Sequence, residues 1–451
     1  PPSQLSEGGQ NPVSVILGCA DSRAPIELLF DMRPGDLFVL RNAGNTAGLS
    51  LGLIGSAEYA ITHLRTKLLV VTGHTKCAAV KDAVIAVRDS SDLPTGADAV
   101  YGNFGTLLAD IFPSAKRAVQ EAPNASVEEQ VQLATKYNVF NTMARLIDRS
   151  EIVYTGVKIE ELQIHGCNYD ILSGEIEWYG QHPELERLCG REMPMHKWKC
   201  QPYVTMQTWS ANPGRSRQVQ VAIQRMIDGN DRFVSGRWHY RSPRGQNSKP
   251  WAVVLGGSEC RVPIEDLFDV EPGRLVVQRV LGSVAGISER TAFSSIEYAL
   301  ARWAPPMMLV LVESASPIIE ASIKQLYGQY LPPAPIRVVL DHVVVSSMRA
   351  VQEMRGGGGA STSAGNDIKV MQLATELNCL FSMELLLGSQ IIRDMVLTGR
   401  VELHAALMES ETGKVRFLGE HPRQLEVIQA ADLRAMVYKD GPYGILPRET
   451  W

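Results

Sequence analysis

The strongest constraint on this chain is that it repeats itself. Ala24-Pro25-Ile26-Glu27-Leu28-Leu29-Phe30-Asp31 returns as Val262-Pro263-Ile264-Glu265-Asp266-Leu267-Phe268-Asp269. Further matches follow in the same order: Glu58-Tyr59-Ala60 with Glu297-Tyr298-Ala299, Gln132-Leu133-Ala134-Thr135 with Gln372-Leu373-Ala374-Thr375, and Gly180-Gln181-His182-Pro183 with Gly419-Glu420-His421-Pro422. One such match could arise by chance, but four in register imply duplication of a whole domain. A chain of 451 residues is also too long for one ordinary core. The expected division is a first copy over 1–189, a linker over 190–215 rich in Pro, Met, Lys and Trp, and a second copy over 216–451.

Within each copy, short β-branched runs alternate with helical patterns. Val13 to Gly18, Asp36 to Arg41, Leu68 to Thr72 and Leu162 to His165 are expected as strands, and their continuous apolar character suits burial on both faces. Leu49 to Leu64, Ala78 to Arg88 and Val131 to Arg149 are expected as helices. This alternation predicts an α/β domain with a mainly parallel central sheet flanked by helices. The alternating Glu175-Ile176-Glu177-Trp178-Tyr179 predicts a short edge strand. Val219, Ile223, Met226 and Ile227 share one helical face, so the second copy opens with an amphipathic helix that stops near Asp228-Gly229-Asn230. The Gly-rich run from Arg355 to Ser361 is expected as a flexible loop where the first copy has Asp89 to Gly105.

The composition, 45% hydrophobic and 21% charged, is that of a soluble globular protein, with no apolar stretch long enough to span a bilayer. A net charge of −5 gives no electrostatic reason to expect nucleic acid or an anionic membrane as partner. Seven cysteines are too few for a disulfide scaffold at this length, so those that cluster with histidine point to metal or catalysis. The sequence begins at Pro1 without an initiator methionine, so removal of an upstream segment, organellar targeting included, is expected, and the compartment stays unread.

Cys19-Ala20-Asp21-Ser22-Arg23 follows the first strand, and His74-Thr75-Lys76-Cys77 follows the third. Both lie at carboxyl ends of parallel strands, where open α/β sheets build their sites. Two thiolates and an imidazole suit Zn²⁺, and three protein ligands leave a fourth position for water. Either cysteine alone would be an ordinary small core residue; the pattern needs Cys19, His74 and Cys77 together.

Cys19-x-Asp21-x-Arg23 followed by His74-x-x-Cys77 resembles the signature of the β-class carbonic anhydrases. Gln10-Asn11-Pro12, the run from Gly35 to Asn45, and His165-Gly166 with Tyr169-Asp170 match the family as well. The resemblance covers nearly all of the first copy and, more weakly, the second. It implies zinc-dependent interconversion of carbon dioxide and bicarbonate by zinc hydroxide. It assigns Asp21 to accept a hydrogen bond from the nucleophile, Arg23 to hold Asp21 ionised, and Gln10 to donate to bicarbonate. In some members the aspartate turns onto the metal; the sequence leaves that open for Asp21. Two alternatives share the motif: hydrolysis of carbonyl sulfide or carbon disulfide, and a scaffold or accessory subunit with a structural zinc.

In the second copy Gly257 replaces Cys19 and Glu259 replaces Asp21. Glu313-Ser314-Ala315-Ser316-Pro317 is set against Gly73 to Cys77, with Ser314 for the histidine and Pro317 for the second cysteine. All three ligands are absent there, giving one active site per chain. Cys260 aligns with Ser22, and His196 and Cys200 in the linker have no further ligands near them in sequence. Members of the family resemble obligate dimers whose channels are lined partly by the neighbouring subunit. The expected architecture is therefore an internal pseudo-dimer, with further pairing of pseudo-dimers or docking to a larger complex through the second copy as its partner interactions.

Overall fold

The computed structural model describes residues 12–21, 23–32, 34–48, 51–89, 103–190, 217–235, 237, 249–285, 290–332, 334–356 and 364–438. The first half contributes β1 (Ser14–Cys19), β2 (Leu37–Asn42), β3 (Leu68–His74), β4 (Gln163–Tyr169) and β5 (Ile176–Gly180). The second contributes β6 (Ala252–Gly257), β7 (Leu275–Val280), β8 (Met307–Glu313), β9 (Glu402–Met408) and β10 (Val415–Glu420). All ten form one sheet in the order β10-β9-β8-β6-β7-β2-β1-β3-β4-β5. Each half is parallel except for its last strand, which pairs antiparallel, and in the first half that strand is the short edge strand expected from the alternating Glu175–Tyr179. β1 and β6 are buried at every position, as expected of strands covered on both faces.

The halves join where β2 meets β7 antiparallel, with Arg41 opposite Arg279. Two like charges at that seam would repel. Each is neutralised by the other half: Arg41 Nη1 lies 2.6 Å from Glu265 Oε1, and Arg279 Nη1 lies 2.5 Å from Glu27 Oε1. All four side chains are buried. The seam also exchanges smaller bonds. The Ala43 N–H donates to Ser295 Oγ (2.9 Å), the Leu281 N–H donates to Ser56 Oγ (3.2 Å), and the Val277 N–H donates to the Ala20 carbonyl (2.9 Å). One hydrophobic cluster runs through both halves, from Val15 and Leu53 to Val253 and Ile296.

The strands and the three helices expected in the first half occur, with bounds shifted by a few residues. Among the described residues, two further helices of eight or more residues occur in this half. Asn103–Glu121 buries Leu107, Leu108, Ile111, Phe112 and Ala115 at helical spacing, but Pro113 in its middle argues locally against a helix. It packs between Ala78–Asp89 and Val127–Arg149 and against Arg290–Trp303 of the other half. The second, Glu151–Lys158, is separated from Arg149 by Ser150 alone, whose hydroxyl accepts from the Val153 N–H.

The helix that opens the second half runs from Arg217 to Val234, past the expected stop. Gly229 lies inside it, where the backbone of Phe268 packs directly against its Cα and no side chain would fit. The Gly-rich run also needs correction. Helices Ala334–Gly356 and Ala364–Leu386 flank it, as Asn103–Glu121 and Val127–Arg149 flank Ala122 to Ser126, so its counterpart is that short turn and not Asp89 to Gly105. Gln10, His196, Cys200 and most of the expected linker fall outside the described residues. Among the described residues no single helix is long and apolar enough to cross a membrane.

Three buried carboxyls sit well above their usual range. Burial pushes Glu58, Asp266 and Glu313 to about 7. In the unfolded chain such groups titrate near about 4. Between those values the folded state binds more protons, so stability falls as pH rises from about 4 to about 7 and is level above that. The lowered Asp21 and Glu384 act only below this window, where stability falls again with acid. A urea-midpoint series is expected to peak at about pH 4, decline to about pH 7 and level off above that. Glu58→Gln is expected to flatten part of the decline; a midpoint that climbs across this window would contradict the assignment.

Candidate metal centre

Cys19 is the last residue of β1 and His74 the last of β3, and Cys77 immediately precedes the helix Ala78–Asp89. Because β1 pairs in parallel with both β2 and β3, these strand ends open at one edge of the sheet. Cys19, His74 and Cys77 each offer a donor atom within 4.8 Å of the other two, and all three are buried. His74 Nδ1 lies 2.9 Å from the Thr75 carbonyl oxygen, so that nitrogen carries the proton and Nε2 is left with its lone pair. His74 Nε2 is buried with no hydrogen-bond partner. A buried lone pair beside two sulfurs is destabilising for a purely structural cluster and is what a thiolate-preferring cation satisfies. The donor set fits zinc.

The two thiols move in opposite directions, Cys19 down and Cys77 up, as one thiol donates to the other. A hydrogen bond from Cys77 pulls Cys19 well below its ordinary value, against the opposing effect of burial, while that same bond and burial hold Cys77 well above its own. The Gly44 N–H also donates to Cys19 Sγ at 3.4 Å. Gly44 has φ 66° and sits where a Cβ would meet Ile111 Cδ1 at 2.7 Å, so glycine is required to turn that N–H toward the sulfur.

Asp21 and Arg23 form the expected pair. Arg23 Nη2 lies 2.5 Å from Oδ2, Nε lies 3.0 Å from both carboxylate oxygens, and the Arg23 N–H donates to Oδ1 at 2.9 Å. Burial pushes Asp21 up, but the hydrogen bonds and charge of Arg23 prevail and hold it ionised. Arg23 is itself steadied by the Lys76 carbonyl at 3.2 Å. Asp21 is not among the three mutually adjacent donors. Its carboxylate is turned to Arg23.

The Cys19–Asp21 backbone has a further support that the motif did not reveal. Arg41 donates from Nε to the Cys19 carbonyl and from Nη2 to the Asp21 carbonyl, each at 2.9 Å, while Glu265 of the second half holds its third nitrogen. A signal was present, since Glu27 and Glu265 occupy the same place in the repeated Pro-Ile-Glu segment. The second half also closes the site. Cys19, Asp21 and Cys77 face Val276, Tyr298 and Trp303 across an apolar cavity of about 10 Å³, close to the room one water-sized molecule needs. Outside it lies a wider vestibule of about 600 Å³ that includes Arg23, Lys76, Lys81, Lys249 and Arg302.

The family model described as "Carbonic anhydrase" matches residues 14–176 and again 252–415, together most of the chain. The chain belongs to the carbonic anhydrase family. Carbonic anhydrase 2 of Mycobacterium tuberculosis is 48% identical over 166 residues, 37% of this chain and 73% of that protein. A carbonic anhydrase of Mycolicibacterium smegmatis is 32% identical over 168 residues, 37% of this chain and 75% of the relative. Among solved structures, a tetrameric β-carbonic anhydrase of Sordaria macrospora is 27% identical with a TM-score of 0.34, covering 39% of this chain and 84% of that one.

Both family segments are present, but the second departs from the first at each ligand position. Strand register corrects the sequence alignment by one residue. Leu68 pairs with Gln163 as Met307 pairs with Glu402, which puts Glu313 in the place of His74 and Ser316 in the place of Cys77. The backbone agrees: the Thr75 N–H donates to the Tyr169 carbonyl as the Ser314 N–H donates to that of Met408. Ser314 therefore corresponds to Thr75, and Pro317 to Ala78 at the helix start. The misalignment arose because β3 and β8 end in dissimilar residues.

Glu259 fills the space between these positions. Its carboxylate accepts the Gly282 N–H at 3.0 Å and the Ser316 hydroxyl at 2.8 Å. A Cβ on Gly257 would lie 2.6 Å from Glu259 Oε2. Gly282 corresponds to Gly44, so a carboxylate oxygen takes the amide bond that a cysteine sulfur takes in the first half.

One other trio of donors lies close together among the described residues: Glu402, His404 and Glu420 on β9 and β10. His404 Nε2 stands 3.1 Å from Glu402 Oε2, as His165 Nε2 stands 3.1 Å from Gln163 Oε1 on β4. An uncharged amide serves at the same place in the first half, so the trio is a repeated in-sheet pairing.

Proposed function

We propose that the first half of this chain hydrates carbon dioxide reversibly to bicarbonate, with one zinc held by Cys19, His74 and Cys77. The observation that carries this is the buried, unpartnered Nε2 of His74 beside the two cysteine sulfurs, with Asp21 turned away to Arg23. Zinc bound there supplies Lewis acidity, bringing the pKa of water toward the neutral range.

The remaining work falls to side chains. Arg23 keeps Asp21 ionised and oriented. An O–H entering the pocket beside Asp21 then donates to a carboxylate with no proton to return, so the lone pair of that oxygen stays free for carbon. Val276, Tyr298 and Trp303 exclude bulk water and suit a small apolar substrate. The lysines and arginines of the vestibule favour departure of the product as an anion toward solvent. Gln10 remains assigned to bicarbonate by resemblance alone.

Carbonyl sulfide and carbon disulfide share the linear, apolar shape of carbon dioxide, so their turnover by the intact chain, measured beside CO₂ hydration, separates these readings. A structural zinc would call for a fourth protein ligand, and Asp21 is engaged elsewhere. The second half, taken as residues 216–451, is proposed to be without zinc, because Glu259 occupies the place of the metal-side thiolate. Its role is that of the neighbouring subunit in an internal pseudo-dimer, wall and ion-pair partner to residues 1–189.

The test is stopped-flow CO₂ hydration on the intact chain together with metal analysis. About one zinc per chain with activity is expected; two per chain would refute the single-site reading, and zinc without hydration would refute the enzymatic one. A second prediction follows from the seam. Residues 1–189 expressed alone are expected to form a homodimer in which Arg41 meets Glu27 of the second copy. An active monomer by light scattering would count against the pseudo-dimer.

A further inference from the structure

We propose that Asp82 is a positioning residue: it ties the second-half wall of the catalytic pocket to the first half and so fixes the width available to substrate. The inference rests on the reading of the site given above and adds a residue that touches neither the metal ligands nor the pocket.

Asp82 lies on the helix Ala78–Asp89, which starts directly after Cys77. Tyr298 Oη donates to its Oδ2 at 2.9 Å, and Arg302 Nη1 lies 3.2 Å from its Oδ1. Tyr298 and Arg302 are four residues apart, on one face of the helix Arg290–Trp303. A single first-half carboxylate therefore grips two residues of the opposite half. Tyr298 is buried and meets Trp303 edge to face, with ring centroids 5.7 Å apart. These two rings, with Val276, form the wall that faces Cys19 and Cys77. A phenol anchored at its oxygen keeps one ring orientation, and Trp303 packs against that ring.

The duplication supplies an internal control. At the corresponding place in the second half, Asp82 becomes Ala321, Tyr298 becomes Tyr59 and Arg302 becomes His63. There His63 bonds Tyr330 at 2.7 Å and stacks on Tyr59, an arrangement with no carboxylate at the Asp82 position. The carboxylate tether occurs on the side that carries the Cys/His/Cys cluster and is replaced on the side that lacks it. A merely structural need of the fold would be present at both.

Asp82→Ala is expected to lower kcat/KM for CO₂ about tenfold by misplacing the wall, with zinc content unchanged, and to raise turnover of carbonyl sulfide relative to CO₂. Asp82→Asn retains an oxygen acceptor for Tyr298 and is expected to recover most of the loss. Tyr298→Phe should match Asp82→Ala, and combining the two should add little. Unchanged kinetics and discrimination in Asp82→Ala, or additive losses in the double variant, would overturn the proposal. If the unmodified chain does not hydrate CO₂, the functional reading fails separately. The same double-variant cycle followed by urea unfolding then tests the tether, and additive losses would again overturn it.

Discussion

Glu265→Ala is expected to destabilise the chain by about 3–5 kcal/mol, because it strands a buried arginine without its counter-charge. The pair is 2.6 Å apart and its side chains are 1% and 2% exposed. Arg41 is locked in place by its two bonds to the Cys19 and Asp21 carbonyls, so it cannot swing out to water without loosening the segment that carries both residues. The loss should therefore appear twice, as a lower urea midpoint and as weaker zinc retention in the opposite half of the molecule. Glu265→Gln keeps an acceptor and should lie between. Lys81–Glu128, 3.5 Å apart and 45% and 74% exposed, is the internal comparison; breaking it should cost at most about 1 kcal/mol. A Glu265→Ala chain as stable as that control would show the seam to be held by apolar packing alone. With total stabilities of about 5–15 kcal/mol for typical domains, the change is large enough to read in the midpoint without ambiguity.

Cys19→Ser is the second large effect. Serine is nearly isosteric, so the fold should persist, but a hydroxyl does not replace a thiolate as a zinc ligand at neutral pH. Loss of residues that merely orient metal ligands costs about 10–100-fold; loss of a ligand itself should exceed about 100-fold in CO₂ hydration. Metal analysis should show the zinc count falling toward zero together with activity. The alternative outcome is informative: retained zinc with lost activity would mean that His74 and Cys77 suffice for binding, with Cys19 acting on reactivity. Undiminished hydration would move the reaction out of the first half and overturn the functional proposal. Gly282 and Glu259 make the converse experiment unpromising, since Gly257→Cys alone must displace a carboxylate already hydrogen-bonded to the Gly282 amide.

Much of this protein was legible in its residue order, for a physical reason. Metal chemistry is local: a Cys at one strand end and a His-x-x-Cys at another carry their donor types with them, and parallel strands bring such ends to one edge. Duplication was equally plain, because aligned segments such as Pro25-Ile26-Glu27 and Pro263-Ile264-Glu265 survive substitution elsewhere. Apolar runs located the buried strands. Asn103–Glu121 was missed because Pro113 weighs against a helix locally, whereas apolar packing on both sides decides for it. The one-residue slip at Glu313 and Ser316 arose where matching side chains gave out, and backbone pairing fixed it.

The sequence by itself determined that the fold occurs twice and that Cys19, His74 and Cys77 occur once. Only the tertiary structure decided how the halves use each other. Arg41 with Glu265, Arg279 with Glu27, and Asp82 with Tyr298 are separated by more than 200 positions. They meet because β2 docks antiparallel on β7, and no periodicity within either half encodes that meeting. The same docking decided the fourth side of the site: the repeat without the Cys/His/Cys trio closes the pocket of the repeat that carries it, since its Val276, Tyr298 and Trp303 are carried across the seam to face Cys19 and Cys77.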